Sequence, residues 1–420
     1  MSSAPPSGLS RDFWKFFCGQ LISTFGSSFT QFAIPLLVYK LTNSSVNLAI
    51  SAVADFLPYL LFGLVMGAWA DRADRKRLMI GADLILAVLV GSIPVLYAVH
   101  HLSLLWIYAS GFLGTTTFIA FNSAEYAALP SLVSSADLVT ANGRIDASYQ
   151  AASILGPIIA GALAGIIAIP NLLAVDAVSY VLAAAGLLLV RGSFNLESGD
   201  GKSVATIRQD IVEGLRYVIG HPILRNISLM MAMVNFVGAT LGYQLVLFAS
   251  RHLHATKPEL GLLFSANAAG FVVFGLLAGW FRRHWSFSVV ALGALMVSGL
   301  LTVVFAVNPI YWLSLPLWAV IGGLGIMFNI NTRSLRQAIV PNHLLGRVMS
   351  IAGVLAWSAI PAGTLIGGFA IKLTGNVVLV YAAIGVLTFL IPLGFAFSPL
   401  GHADRYLAEA SPSELESVEA

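Results

Sequence analysis

Apolar runs of about 20 residues recur along this chain, separated by short polar breaks, and nothing else in it constrains the fold as tightly. A run of that length crosses about 30 Å of hydrocarbon as a helix. Inside lipid the backbone must satisfy its own hydrogen bonds, so such runs are helical. We read twelve of them, at about residues 12–39, 46–70, 77–99, 103–129, 138–167, 171–191, 223–250, 259–281, 286–307, 310–332, 346–371 and 376–398. Only 10% of the 420 residues are charged, against about 25% in a soluble domain. The expected fold class is therefore an all-α membrane protein with twelve transmembrane helices in two six-helix halves.

Segments 6 and 7 are joined by the one long polar connection. Within it Ile207, Ile211, Val212, Leu215, Val218 and Ile219 recur at helical spacing, with Arg208, Asp210, Glu213 and Arg216 between them. This predicts an amphipathic helix, either lying on the membrane surface or serving as a solvated linker with no further role. The expected domains are residues 1–191 and 223–400 as six-helix halves, 192–222 as a cytoplasmic linker, and 401–420 as an acidic cytoplasmic tail. With the N-terminus placed inside, eighteen of the 22 Lys and Arg residues fall in inside loops. Lys40, Arg251, Lys257 and Lys372 fall outside. Both termini are thus expected in the cytoplasm. A weak internal repeat supports two related halves: Phe121-Asn122, Pro130 and Gly143-Arg144 are echoed by Phe328-Asn329, Pro341 and Gly346-Arg347.

Several classes fall away. The single cysteine, Cys18, excludes an intramolecular disulfide and a cysteine-based metal site. The first apolar run is too long for a cleavable signal. No Gly-x-x-x-x-Gly-Lys-Ser/Thr loop is present to hold ATP. The His100-His101 and His252/His254 pairs lack ligand company, so no metal and no cofactor is expected. No nucleophile–histidine–acid set stands out, so an enzyme is not expected. The formal charge of +3 reflects cytoplasmic Lys and Arg rather than a nucleic-acid partner.

Between segments 2 and 3 the chain reads Gly67-Ala-Trp-Ala-Asp71-Arg72-Ala-Asp74-Arg75-Lys76-Arg77. Gly63 and Gly67 share a helix face and allow close approach of another helix. Asp71 stands where segment 2 leaves the membrane, suited to the positive end of a neighbouring helix. The cluster is either a positive-inside anchor or a latch that forms in one conformation and breaks in another. It resembles the loop 2–3 signature of the major facilitator superfamily, Gly-x-x-x-Asp-Arg-x-Gly-Arg-Arg/Lys, with Asp74 in place of the second glycine. The resemblance covers the whole chain. Phe121-Asn-Ser-Ala-Glu-Tyr-Ala-Ala-Leu-Pro130, Ala141-Asn-Gly-Arg144 and Glu213-Gly-Leu-Arg-Tyr217 are similar to the drug-antiporter branch that contains macrolide-efflux and enterobactin-exporter proteins. The resemblance implies the major facilitator fold. It also implies a latch of Gly67, Asp71, Arg72, Arg75, Glu125 and Arg347, in which Asp71 meets segment 11 near Arg347 and Arg75 meets Glu125.

Segment 5 contains Ala152-Ser-Ile-Leu-Gly156-Pro157-Ile-Ile-Ala160-Gly161, which resembles the antiporter motif Gly-x-x-x-Gly-Pro-x-x-Gly-Gly. Gly156 and Gly161 permit close packing, and Pro157 removes a backbone donor and bends the helix. Segment 4 lacks the basic residue and Gln-Gly pair that many proton antiporters carry there.

A charge at mid-membrane costs roughly 2.5–3.5 kcal/mol, so intramembrane acids usually face a cavity and serve a function. Asp55, about ten residues into segment 2, is the first candidate for proton coupling, and Asp146 in segment 5 the second. Each is alternatively a structural contact between helices, as are Asp83 and Asp176 near segment ends. Gln20, Phe25, Gln31, Asn235, Tyr243, Gln244, Asn329 and Trp357 stand at membrane depth as cavity candidates. Taken singly, such residues also serve as glue between helices.

The expected function is secondary active transport: proton-coupled efflux of a hydrophobic or amphiphilic small molecule (a drug, macrolide or siderophore-like compound) by alternating access. The alternative is a lipid or lysolipid flippase, or an importer, on the same scaffold. The expected setting is a bacterial inner membrane. Partners are the small-molecule substrate, protons and the lipid bilayer, with no nucleic acid, and the chain is expected to be a monomer.

Overall fold

The computed structural model describes residues 9–70, 73–134, 136–192, 194 and 204–403. Among the described residues there is no strand. Fifteen α-helices run in the order α1 (Arg11–Thr42), α2 (Ser45–Ala70), α3 (Arg75–Ala98), α4 (Leu104–Leu132), α5 (Leu138–Ile166), α6 (Ile169–Leu189), α7 (Val204–Gly220), α8 (Pro222–Tyr243), α9 (Leu245–Arg251), α10 (Lys257–His284), α11 (Phe287–Val307), α12 (Tyr311–Ile339), α13 (Asn342–Trp357), α14 (Ala359–Thr374) and α15 (Val377–Ala396). Twelve spans are long and apolar enough to cross a membrane, α13 and α14 together supplying one of them.

The helix ends follow local chemistry. Asp74 caps α3 by accepting from the Arg77 N–H, and Ser103, Ser286 and Asn376 cap α4, α11 and α15 in the same way. Asp74 has φ −67°, so the turn before α3 needs no glycine there. Gly375, at φ 65°, ends α14 in the left-handed region that a side chain resists. Two of the expected segments are broken. Segment 7 divides at Gln244 into α8 and α9. Segment 11 divides at Ser358 into α13 and α14, just before Pro361, whose ring clashes with the carbonyl four residues back, that of Trp357.

The chain divides into two compact units. The first comprises Met1–Thr42, Val53–Lys202 and Lys257–Ser265, and the second Asn43–Ala52, Ser203–Thr256 and Ala266–Ala420. The division passes through α2 and α10, so the opening turns of each belong to a different unit from the rest of the helix.

In the first unit the core is built from Phe13 and Phe16 of α1, Met79 of α3, Phe121 and Leu129 of α4, and Phe194. The start of α10 is part of this unit. Lys257 Nζ donates to the Ala164 carbonyl at 2.7 Å, and Ser265 Oγ to that of Ile154 at 2.5 Å.

In the second unit α8, α9, α11, α12 and α15 meet around stacked rings. Phe248 lies 4.4 Å from Tyr381 and 4.9 Å from Phe305, which in turn stacks on Trp318 at 5.1 Å. The buried Tyr381 hydroxyl donates to the Leu241 carbonyl at 2.7 Å. At Gly363 of α14 a side chain is impossible, because its Cβ would stand 1.9 Å from the Phe236 carbonyl oxygen of α8.

The linker helix α7 packs on protein. Leu215 and Val218 join Leu344, Val348 and Ile351 of α13, and Glu213 pairs with Arg347 at 2.5 Å. Val212 and Ile219 remain exposed and available to lipid.

Candidate functional site

The antiporter-like stretch of α5 is a packing device. Gly156 lies under Ser28 of α1, where a Cβ would come 1.8 Å from the hydroxyl oxygen. Gly161 faces Gly261 of α10, and a Cβ on Gly261 would meet the Pro157 carbonyl at 2.2 Å. The sequence Gly-Pro-x-x-x-Gly therefore lets α5 touch α1 on one side and the start of α10 on the other.

Asp55 is half-buried on α2. Its Oδ1 lies against Gly111 of α4, at 2.2 Å from where a Cβ on that glycine would stand. Tyr59, one turn further along α2, is near enough to feel its charge. No hydrogen bond or ion pair ends on Asp55 among the described residues. It is a carboxyl against apolar surroundings, as its place in the apolar run predicts. Asp146 of α5 is exposed, and its neighbour Arg144 lies over the Trp14 ring at 4.8 Å.

Of the latch residues, Asp71 and Arg72 lie outside the described residues. Gly67 is on the last turns of α2. The expected meeting of Arg75 with Glu125 is not formed in this conformation. Arg75 Nη1 instead donates to the carbonyls of Ala127 at 3.0 Å and Phe194 at 3.2 Å. Glu125 turns into the core, 5% exposed, and accepts from the Tyr149 hydroxyl at 3.2 Å. The Glu125 carboxyl is committed to the buried side facing Tyr149, and the guanidinium is satisfied by the two carbonyls instead. Arg347, the expected partner region of Asp71, holds Glu213.

The cavity candidates fall into two groups. Gln31, Asn329 and Trp357 are exposed, and Phe25, Asn235 and Tyr243 half-buried. Gln20 is buried. Gln244 is fully buried at the α8–α9 break, where its amide donates to the Ser45 carbonyl at 2.7 Å. Asn235 donates to the Ala356 carbonyl at 2.8 Å. In this conformation these two amides tie helices together within the second unit, a use that spacing alone does not separate from lining a cavity.

Three charged residues lie deeper in the structure than their places in the sequence suggest. Asp83 is 1% exposed on α3, on the same stripe as Met79, Ala82 and Leu86. Asp176 is fully buried on α6, accepting from Thr30 and from Ser179. Arg336 of α12, expected in a loop, is 5% exposed and donates to the Met231 sulfur at 3.1 Å. The signal for both acids was their position on a buried helical stripe.

Twelve spanning helices, a central linker and the packing at Gly156 and Gly161 are now in place, and comparison with known proteins decides the family. Residues 5–414 match the transmembrane secretion effector family of major facilitator proteins. The chain belongs to that family. Among its relatives, the macrolide efflux protein A of Streptococcus pyogenes is 25% identical over 362 residues, 84% of this chain and 88% of that one. The multidrug efflux pump Tap of Mycolicibacterium fortuitum is 28% identical over 353 residues, 82% and 85% of the two chains. Among solved structures, a bacterial homologue of the lysosomal transporter Spinster aligns with TM-score 0.72 at 14% identity, covering 98% of this chain and all of that one. The nucleoside transporter NupG aligns with TM-score 0.75 at 10% identity, covering 92% and 98%. These two likenesses speak for the fold alone. The protein is a multi-pass membrane transporter of small molecules, of the major facilitator superfamily, and its relatives include efflux pumps.

Proposed function

We propose that this transporter is a proton-coupled exporter of hydrophobic or amphiphilic compounds, working by alternating access as a monomer in a bacterial inner membrane. The macrolide and multidrug efflux relatives support the outward direction. The cytoplasmic placement of both termini rests on the distribution of Lys and Arg. The observation that carries the coupling is Asp55, a carboxyl within a membrane span that rests against the Gly111 backbone without a cation. Such a group binds a proton when closed off from water and releases it when its surroundings open. One proton moving through about 100 mV supplies about 2.3 kcal/mol, which sustains roughly 50-fold accumulation. Arg75, Arg347 and the Gly67–Arg72 stretch act in this reading as the latch between conformations.

The test is export of a macrolide from an efflux-deficient bacterium, with and without an uncoupler. The wild-type protein lowers macrolide accumulation and the uncoupler abolishes the effect. Asp55→Asn, at matched membrane abundance, loses uncoupler-sensitive export. Wild-type export by Asp55→Asn removes Asp55 from the coupling. Export that ignores the uncoupler removes the proton gradient.

A further inference from the structure

The exporter reading uses Asp55, but the interior of the first unit holds other carboxyls. Asp83 of α3 and Glu125 of α4 are 1% and 5% exposed, each next in sequence to a member of one buried cluster (Ala82 and Ala124), and the Glu125 charge reaches Asp83. Glu125 accepts one hydrogen bond, from Tyr149 of α5. The same hydroxyl also meets Thr24 of α1. On α6, Tyr180 bonds to Ser27 of α1 at 2.9 Å and lies within electrostatic reach of both Asp83 and Asp176. Among the atoms of this unit that are buried with no hydrogen-bond partner are three that matter here: Asp83 Oδ2, Glu125 Oε1 and the Gln20 Nε2 one turn before Thr24. Two are acceptors and one is a donor.

Four cations on the surrounding helices are engaged elsewhere. Arg75 holds the Ala127 and Phe194 carbonyls, and Lys76 the Val190 carbonyl at 2.6 Å. Lys15 of α1 pairs with Asp12 at 2.8 Å. Arg144 of α5 covers Trp14, and Asp146 on the same helix is a further acid near Tyr149. Among the described residues no Lys, Arg or His bonds to Asp83 or Glu125. Asp176 differs, because the hydroxyls of Thr30 and Ser179 satisfy it.

Two neighbouring carboxylates cannot both stay charged in a dry interior without a cation. One proton for the pair, bound by either carboxyl, neutralises that group and turns one of the orphaned oxygens into a donor. We propose that Asp83 and Glu125, positioned by Tyr149, form a second proton-binding site, occluded inside the first unit and separate from Asp55. Glu125 stands fourteen residues beyond Gly111 on α4, about 21 Å along the helix axis, so the two sites are independent in space. Loss of the pair's proton leaves two like charges between α3 and α4 and favours their separation. That α3–α4 junction is the one Arg75 ties through the Ala127 carbonyl. The use of this proton in export rests on the exporter reading, whereas its binding does not.

Infrared difference spectroscopy of the purified full-length protein in liposomes, titrated with pH, reads the site without any cargo. The wild-type spectrum contains C=O stretching bands of buried protonated acids. Asp83→Asn and Glu125→Gln each remove one band and change the proton affinity of the remaining acid about tenfold or more, that is one pH unit. Tyr149→Phe moves the Glu125 band without removing it, and this variant carries the test if a carboxyl variant fails to fold. Asp55→Asn leaves both bands in place, so failed export in that variant and failed proton binding here are separate results. The proposal is overturned if Asp83→Asn leaves the Glu125 band unchanged in position and titration. It is also overturned if neither band exists at any pH, or if sodium at constant ionic strength displaces the titration and marks the ligand as a metal cation.

Discussion

The interiors of the two units solve the same packing problem with opposite chemistry. The first buries three carboxyls, Asp83, Glu125 and Asp176, and none bonds to a cation among the described residues. The second buries no carboxyl among its described residues. It holds one guanidinium, Arg336, beside a methionine sulfur, together with a stack of Phe248, Phe305, Tyr381 and Trp318. An unpaired buried acid can become neutral by taking a proton, whereas an arginine keeps its charge. The interior of the first unit therefore holds groups whose charge can change, and that of the second holds one whose charge is fixed. Under the proposed proton-coupled reading, coupling chemistry belongs to the first unit.

The largest expected effect tests whether the difference is confined to polar chemistry. Gly156→Leu in the first unit and Gly363→Leu in the second place a side chain where an oxygen atom already stands less than 2 Å from the Cβ position. Both should cost about 3 kcal/mol or more, seen as loss of the monodisperse fraction in a thermal ramp. Tolerance in one unit alone would mean that packing, too, differs between them.

Smaller effects of opposite sign sharpen the polar contrast. Asp176→Ala leaves the Thr30 hydroxyl without its acceptor and should destabilise by about 2 kcal/mol. Arg336→Met removes a charge whose burial no acid offsets and should stabilise by about 1 kcal/mol or more. Melting temperatures in one detergent check both signs. Destabilisation by Arg336→Met would show that the guanidinium is a needed tie, and the contrast between the interiors would weaken. The smallest effect is at the partly exposed Glu213–Arg347 pair. There Glu213→Gln should cost under about 1 kcal/mol at low salt and almost nothing at high salt.

The sequence made the spans legible because lipid leaves the backbone so few options. Observed helix ends lie within a few residues of those expected, with α12 the main exception. Its apolar run stops near Asn331, yet the helix continues to Ile339, just before Pro341, and carries Arg336 into the core. The breaks at Gln244 and Ser358 were not legible, since apolar runs continue through both. Asp55 stood out because apolar neighbours surround it in sequence. Asp83 did not, because depth from a segment end says nothing of which way a side chain faces. Its stripe with Met79, Ala82 and Leu86 carried that information. Gln20 and Gln31 share a face by spacing, yet one is buried and the other exposed, because their neighbours come from other helices.

The seating of α7 on α13 has a mechanical consequence. Glu213, Leu215 and Val218 fix the rotational phase of the linker helix, and only His221 separates it from the first span of the second half, α8. A single residue inserted inside α7, after Val218, would turn the exit of that helix toward α8 by about 100°. One of the two helices would then have to leave its seat. Four inserted residues would bring the helices nearly back into register, so damage should rise and fall with insertion length in the rhythm of a helix rather than grow steadily. The linker behaves as a keyed shaft whose angle is set by α13.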